Sequence, residues 1–115
     1  LLNADFVISP LKPSQADLDT VLDLDDIMQE AKSINKKLKS FCVLNMCATH
    51  PKDKERAESL ELLQQAGLKS TVIEEPIFDR KILRTSFSEG GSCFEVKANK
   101  SADEIAVVLQ KILGV

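Results

Sequence analysis

Apolar positions recur with two different periods along this chain, and the switch between them marks out its elements. Residues 5–10 (DFVISP) form a short apolar run that reads as a buried strand. Ser14 followed by Asp17 resembles a capping box with Asp in place of Glu. A helix is predicted to follow, with Leu18, Val21, Leu22, Met28, Ala31 and Ile34 at helical spacing. Residues 41–46 (FCVLNM) predict a second strand, buried on both faces. A polar loop at 47–53 leads into a helix over about 54–65, with Leu60, Leu62 and Leu63 available to a core. Gly67 stands where a left-handed helix stop belongs. A third strand at 70–73 is followed by a break at Pro76. A short helix over about 79–88 ends at Gly90-Gly91, and 92–96 is an extended or loop segment. Ser101 and Glu104 predict a capping box for the last helix, whose stripe is Ile105, Val108, Leu109 and Ile112.

Strands that alternate with helices through short loops imply an α/β fold, a partial parallel sheet flanked by helices. Three strands are few for such a sheet, so one edge expects strands from outside these residues. The isolated chain is then expected to associate or to be poorly stable, because that edge is unpaired. Ligands of open α/β sheets bind beyond the carboxyl ends of the strands. Those ends fall at 10–13, 45–47 and 74–76.

Composition narrows the function classes. At 115 residues the chain is expected to form at most one domain, and 43% apolar with 29% charged residues argues against disorder. The chain has no Trp or Tyr and five Phe, which excludes a base-stacking platform for nucleic acid. A net charge of −3 gives no global attraction to DNA, so any such contact needs a local basic patch. Asp17, Asp19, Asp23, Asp25 and Asp26 precede Lys32, Lys36 and Lys37 on the first helix. That order complements the helix macrodipole and reads as a solvated face. Three cysteines make no even disulfide framework and read as reduced thiols of a cytosolic protein. No run approaches the ~18 apolar residues of a membrane span, and no targeting segment is expected at the start.

Few residues could carry chemistry. Asn45 is polar at the end of an apolar strand. Its amide offers one acceptor and two donors, which suits the edge of a purine and equally suits a turn that satisfies itself. His50 lies near Cys42 and Cys47, but a closed zinc site needs four ligands and a Cys–His nucleophile needs an orienting group. These three read as a loop histidine and two small core thiols. Arg80, Lys81 and Arg84 cluster on the short helix, with 80 and 84 at i and i+4. They could contact phosphate, or pair with Asp79, Glu74 or Glu75.

Three stretches, taken in order, resemble the C-terminal half of a ParA-type plasmid or chromosome partition ATPase, a deviant-Walker P-loop ATPase. The first is Leu1 to Pro10 with Lys12-Pro13-Ser14 and Asp17-Leu18, similar to the family's segment after the Walker B strand. The second is Val43-Leu44-Asn45-Met46, similar to a family strand that ends in Asn. The third runs from Ile77 through Arg80 to Ser86, Gly90, Ser92 and Phe94-Glu95, similar to the family's Ile-x-x-Arg helix and its Gly-x-Ser-Val-x-Glu end. Met46 stands where a basic residue is usual, Leu83 where an aromatic is common and Cys93 where Val is common.

The resemblance implies that Asn45 contacts the adenine edge and that the loop around Pro76 forms part of the base pocket. It implies that Arg80, with Lys81 and Arg84, belongs to a surface for sequence-independent DNA binding by an ATP-bound dimer. The implied partners are non-specific DNA, a second copy and a ParB-like centromere-binding protein, in a cytoplasmic, nucleoid-associated setting without membrane. ATP and Mg are the cofactors it implies for the full-length protein. The Gly-rich phosphate loop with its Lys and Ser/Thr does not occur between Leu1 and Val115. No ATPase activity and no tightly bound cofactor are therefore expected of these residues alone. Two alternatives differ in class: a stand-alone non-catalytic interaction module, and another deviant-Walker ATPase such as the septum-positioning type. The latter uses a basic amphipathic C-terminal helix, whereas the last helix here carries only Lys111 near its end.

Overall fold

The computed structural model describes residues 3–50, 53–95 and 99–114. Leu1 and Leu2 of the first resembling stretch, Pro51 and Lys52 of the polar loop, and Val96 lie outside the described residues. In chain order the elements are β1 (Phe6–Leu11), α1 (Gln15–Ile34), β2 (Lys39–Leu44), α2 (Glu55–Gln65) and β3 (Thr71–Ile73). There follow α3 (Lys81–Ser88), one 3-10 turn (Cys93–Glu95) and α4 (Lys100–Leu113). The strands form a parallel sheet in the order β1-β2-β3. The fold is α/β, a three-stranded parallel sheet flanked by helices and compatible with a partial Rossmann-like fold.

The period-2 geometry of β2 explains why it reads as continuously apolar. Cys42 and Leu44 join Leu11, Val21, Cys47 and Leu63, the core that α1 and α2 share with the sheet. Phe41 and Val43 join Ile73 with Val108 and Ile112 of α4 on the opposite face. The expected burial of this strand on both faces is what the structure has, although the strand ends at Leu44 and not at Met46.

β1 differs from its expectation. Phe6, Ile8 and Pro10 register with Lys39, Phe41 and Val43, so they lie on the α4 side of the sheet. α4 packs over β2 and β3, and β1 adds nothing to that cluster. Phe6 is therefore 41% exposed and Ile8 43% exposed, on an edge strand that is only half-buried. A short apolar run does not distinguish a central strand from an edge strand.

The helices keep part of their predicted stripes. On α1, Val21, Met28 and Ala31 are buried, but Leu22 and Ile34 face outward. On α2 Leu63 is buried while Leu62 is exposed, and on α4 Leu109 is exposed beside the buried Val108 and Ile112. Ser14 caps α1, its hydroxyl accepting from the Asp17 N–H at 3.4 Å. Asp17 reaches past the cap and accepts from the Lys12 N–H at 2.9 Å, so the capping box is not reciprocal.

The predicted cap of α4 is corrected. Asn99 is the N-cap, with extended backbone, and its side-chain amide oxygen accepts from the Ala102 N–H at 2.9 Å. Ser101 is inside the helix and fully buried, and its hydroxyl has no hydrogen-bond partner. Glu104 turns to Arg80, just ahead of α3.

Gly67 (φ 70°) follows the last turn of α2 and Gly90 (φ 78°) that of α3. At the second stop Gly91 N–H donates to Ser86 O (2.8 Å) and Gly90 N–H to Phe87 O (3.0 Å), a Schellman pair.

Asp25 was expected on a solvated acidic face and is buried instead. One carboxylate oxygen accepts from the Ser70 N–H (3.0 Å) and hydroxyl (2.6 Å), the other from the Lys69 N–H (3.0 Å). The Ser70 hydroxyl also lies 2.8 Å from that of Ser40, which ties α1, β2 and the approach to β3 together. No helix among the described residues is long and apolar enough to cross a membrane.

Candidate functional site

The carboxyl end of β2 is where the chain converges. Past Leu44, Asn45 N–H donates to Leu11 O (2.8 Å) and keeps hold of β1. On the other side Ile77 N–H donates to Leu44 O (2.9 Å), Cys47 N–H to Ile77 O (3.1 Å) and Asp79 N–H to Cys47 O (2.8 Å). These bonds make a parallel bridge between Cys47 and Phe78. The β3–α3 connection is thereby laid against the extension of β2. Met46, between the two sets, takes a left-handed backbone at φ 55°, which costs a residue with a Cβ roughly 1–2 kcal/mol. Such strain concentrates at functional sites.

An open cleft of about 570 Å³ lies beyond this convergence, lined by Asn45, Met46, Phe78, Asp79, Leu83, Arg84 and Phe87. Its walls are apolar, and its polar groups are the Asn45 amide and an ion pair between Arg84 and Asp79. Leu83 and Phe87 stand one turn apart on α3, and Phe87 is 83% exposed. A cleft lined mainly by apolar side chains, with an amide-bearing residue among them, can take an apolar ring that has hydrogen-bonding edges.

Of the residues singled out from the sequence, Asn45 and Arg84 line this cleft. Pro76 is half-buried two residues before Phe78 and outside the lining. Arg80 is not on the helix: it is the extended N-cap position of α3 (φ −122°, ψ 145°), so the i, i+4 alignment with Arg84 does not arise. Its guanidinium donates to both carboxylate oxygens of Glu104 on α4, Nε to Oε1 at 3.1 Å and Nη2 to Oε2 at 2.8 Å. Those bonds hold Arg80 above its ordinary pKa. Arg84 does pair with Asp79, one of the acids expected, while Glu75 pairs with Lys111 at 3.4 Å. Lys81, the first helical residue, is exposed and joins no ion pair among the described residues.

Phe78 is the residue that the sequence reading passed over. The guanidinium of Arg80 lies 5.2 Å from its ring centroid and that of Arg56, on α2, 5.6 Å. A lone Phe in a Pro-broken loop gives no periodic signal. Leu83 and Phe87 at i and i+4 were a legible apolar pair.

The cysteine and histidine readings are resolved in space. Cys42 and Cys47 are buried in the core and His50 is exposed. Burial pushes the Cys47 thiol up to about 11, against a smaller downward pull from Arg56, and burial also raises Cys42. Among the described residues no three His, Cys, Asp or Glu come together as a metal site.

The three-stranded parallel sheet is compatible with a partial Rossmann-like α/β fold, and the cleft lies beyond the carboxyl end of β2. No family model matches the chain. It is similar to the "Maintenance of carboxysome distribution protein A" of Halothiobacillus neapolitanus, with 27% identity over 115 residues. The match covers 98% of this chain and 51% of that protein, so the chain spans about half the length of the curated relative it matches. This supports a distant ParA-like relationship.

Proposed function

We propose that these residues are the base-binding and DNA-facing portion of a ParA-like positioning ATPase, which moves its cargo by ATP-dependent dimerisation on non-specific DNA. The observation that carries this reading is the cleft beyond β2, where Asn45 follows the last strand residue, in a chain of which 98% aligns with a ParA-like relative. The Asn45 amide would read the adenine edge, and Phe78 and Asp79 would supply the wall expected of the loop around Pro76. The donor set suits a nucleobase alone. Phosphate and Mg²⁺ would be held by residues outside Leu1–Val115, which fits a relative about twice as long.

The DNA-facing cations would be Lys81 and Arg84. The Arg84–Asp79 pair is exposed, worth about 0–1 kcal/mol, and can yield to a phosphate. Contact from Arg80 would compete with its hold on Glu104. The partner would be a ParB-like protein bound to the cargo. The cargo is a replicon in the partition reading. A carboxysome-like compartment is the second reading, favoured by the named role of the relative.

Retention of the full-length protein on non-specific duplex DNA tests the proposal. Binding should require ATP with Mg²⁺ and fall steeply with salt. Lys81→Glu should weaken it while sparing nucleotide binding, and adding Arg84→Glu, at a residue that also lines the cleft, should weaken it further. DNA affinity unchanged by that pair at low salt would remove these residues from the surface. A protein that binds neither nucleotide nor DNA would return the chain to the class of interaction modules.

A further inference from the structure

We infer that Arg80 is a positioning residue of the cleft, which fixes the Phe78 wall to α4 through Glu104. The inference rests on the base-binding reading for the ligand, and on the geometry for the latch itself. Three observations converge on it. Arg80 sits in extended backbone just ahead of α3, so its side chain leaves the helix and crosses to α4. Its planar fork meets the Glu104 carboxylate bidentately, the arrangement that constrains orientation as well as distance. The pair is mostly buried, at 26% and 17% side-chain exposure, where neither water nor salt readily substitutes for a partner. The same guanidinium packs 5.2 Å from the ring centre of Phe78, and that of Arg56, on α2, lies 5.6 Å from it.

The anchor at the far end is rigid. Glu104 is one turn from Val108, which packs with Ile112 against Phe41, Val43 and Ile73. Lys111, seven residues on and so on the same side of α4, pairs with Glu75. The β3–α3 connection thus meets α4 near both of its ends, through the half-buried fork at Arg80 and through an exposed pair at Glu75. Between these contacts Phe78 and Asp79 are offered to the cleft. A wall held this way is preorganised, so a flat ligand need not order it on binding.

The test uses the full-length protein with methyl-labelled methionine and adenosine as the probe. Met46 lines the cleft with Phe78 and reports that ring's position, and the buried Met28 reports the core. Each resonance is assigned by its Met→Leu variant. Glu104→Gln and Arg80→Lys each remove the fork. In both, the ligand-free Met46 methyl should move while Met28 stays, and adenosine should bind about tenfold more weakly. The exchange of Arg80→Glu with Glu104→Arg should bring Met46 and the affinity back toward the wild type. Met46 and adenosine affinity both at wild-type values in Glu104→Gln would overturn the inference. So would Arg80→Gln that lowers the salt dependence of DNA binding and leaves Met46 in place, since Arg80 would then be a phosphate contact. If the wild type does not bind adenosine, the base reading fails by itself, and the ligand-free Met46 position still decides the latch.

Discussion

Asp25 shows how one residue can join distant parts of this chain. Burial pushes its carboxyl up, but the Ser70 hydroxyl, the Lys69 and Ser70 N–H groups and the charge of Lys32 outweigh it. The net result is below the ordinary value of 3.8. A carboxyl lowered in the fold contributes stability that is present above its unfolded pKa and is lost as pH falls through the folded value. Asp25→Asn puts an amide where three donors converge and should cost about 1–3 kcal/mol at neutral pH. Urea unfolding measures this, and the variant should also lose part of the decline in stability that the parent shows below pH 3.8. Helical spacing sets Asp25 apart from Asp23 and Asp26, since it stands four residues after Val21 and three before Met28 on the buried side of α1, but it does not name its partners. Its partners lie 44 and 45 residues away, so its role could not be read before the fold was known.

At the scale of elements, what depends on neighbours in sequence was legible and what depends on neighbours in space was not. The strand core at Phe41–Leu44 and the stops at Gly67 and Gly90 follow from local pattern and backbone freedom. The cap of α4 did not, because Ser101 and Glu104 have the right spacing for a box. Glu104 instead serves Arg80, 24 residues earlier, and the cap falls to Asn99. Two substitutions separate the two caps. Asn99→Ala should lose about 1 kcal/mol, since it removes the bond to the Ala102 N–H and another that its amide donates to Cys93 O. Ser101→Ala should be neutral or stabilising, because the buried hydroxyl it removes has no partner. A larger loss from Ser101→Ala than from Asn99→Ala, by chemical denaturation, would contradict this assignment. The cleft was half legible for the same reason. Asn45 was marked by its place at a strand end, while Phe78 acquires its role only when Cys47 and the β3–α3 connection pair.

The molecule as a whole is a sheet with one face of one edge uncovered. Phe6, Ile8 and Pro10 of β1 lie outside the cluster that α4 covers, and among the described residues β1 pairs only with β2. An exposed apolar edge pairs with whatever strand it meets. The 115-residue polypeptide alone should therefore self-associate as its concentration rises in sedimentation velocity, and Ile8→Lys should suppress the association. A monomer at all concentrations, with cooperative unfolding, would show that β1 is stable without a further strand. The other end of the sheet carries the account's central claim, that the cleft past β2 receives a nucleotide base beside Asn45. The most direct measurement is calorimetric titration of the full-length protein with ATP and with inorganic tripolyphosphate. The account predicts that ATP binds at least about tenfold more tightly, and that Asn45→Ala removes most of that difference with little change for tripolyphosphate. Equal affinities for the two ligands, or an Asn45→Ala protein that still prefers ATP as strongly as the parent, would contradict it.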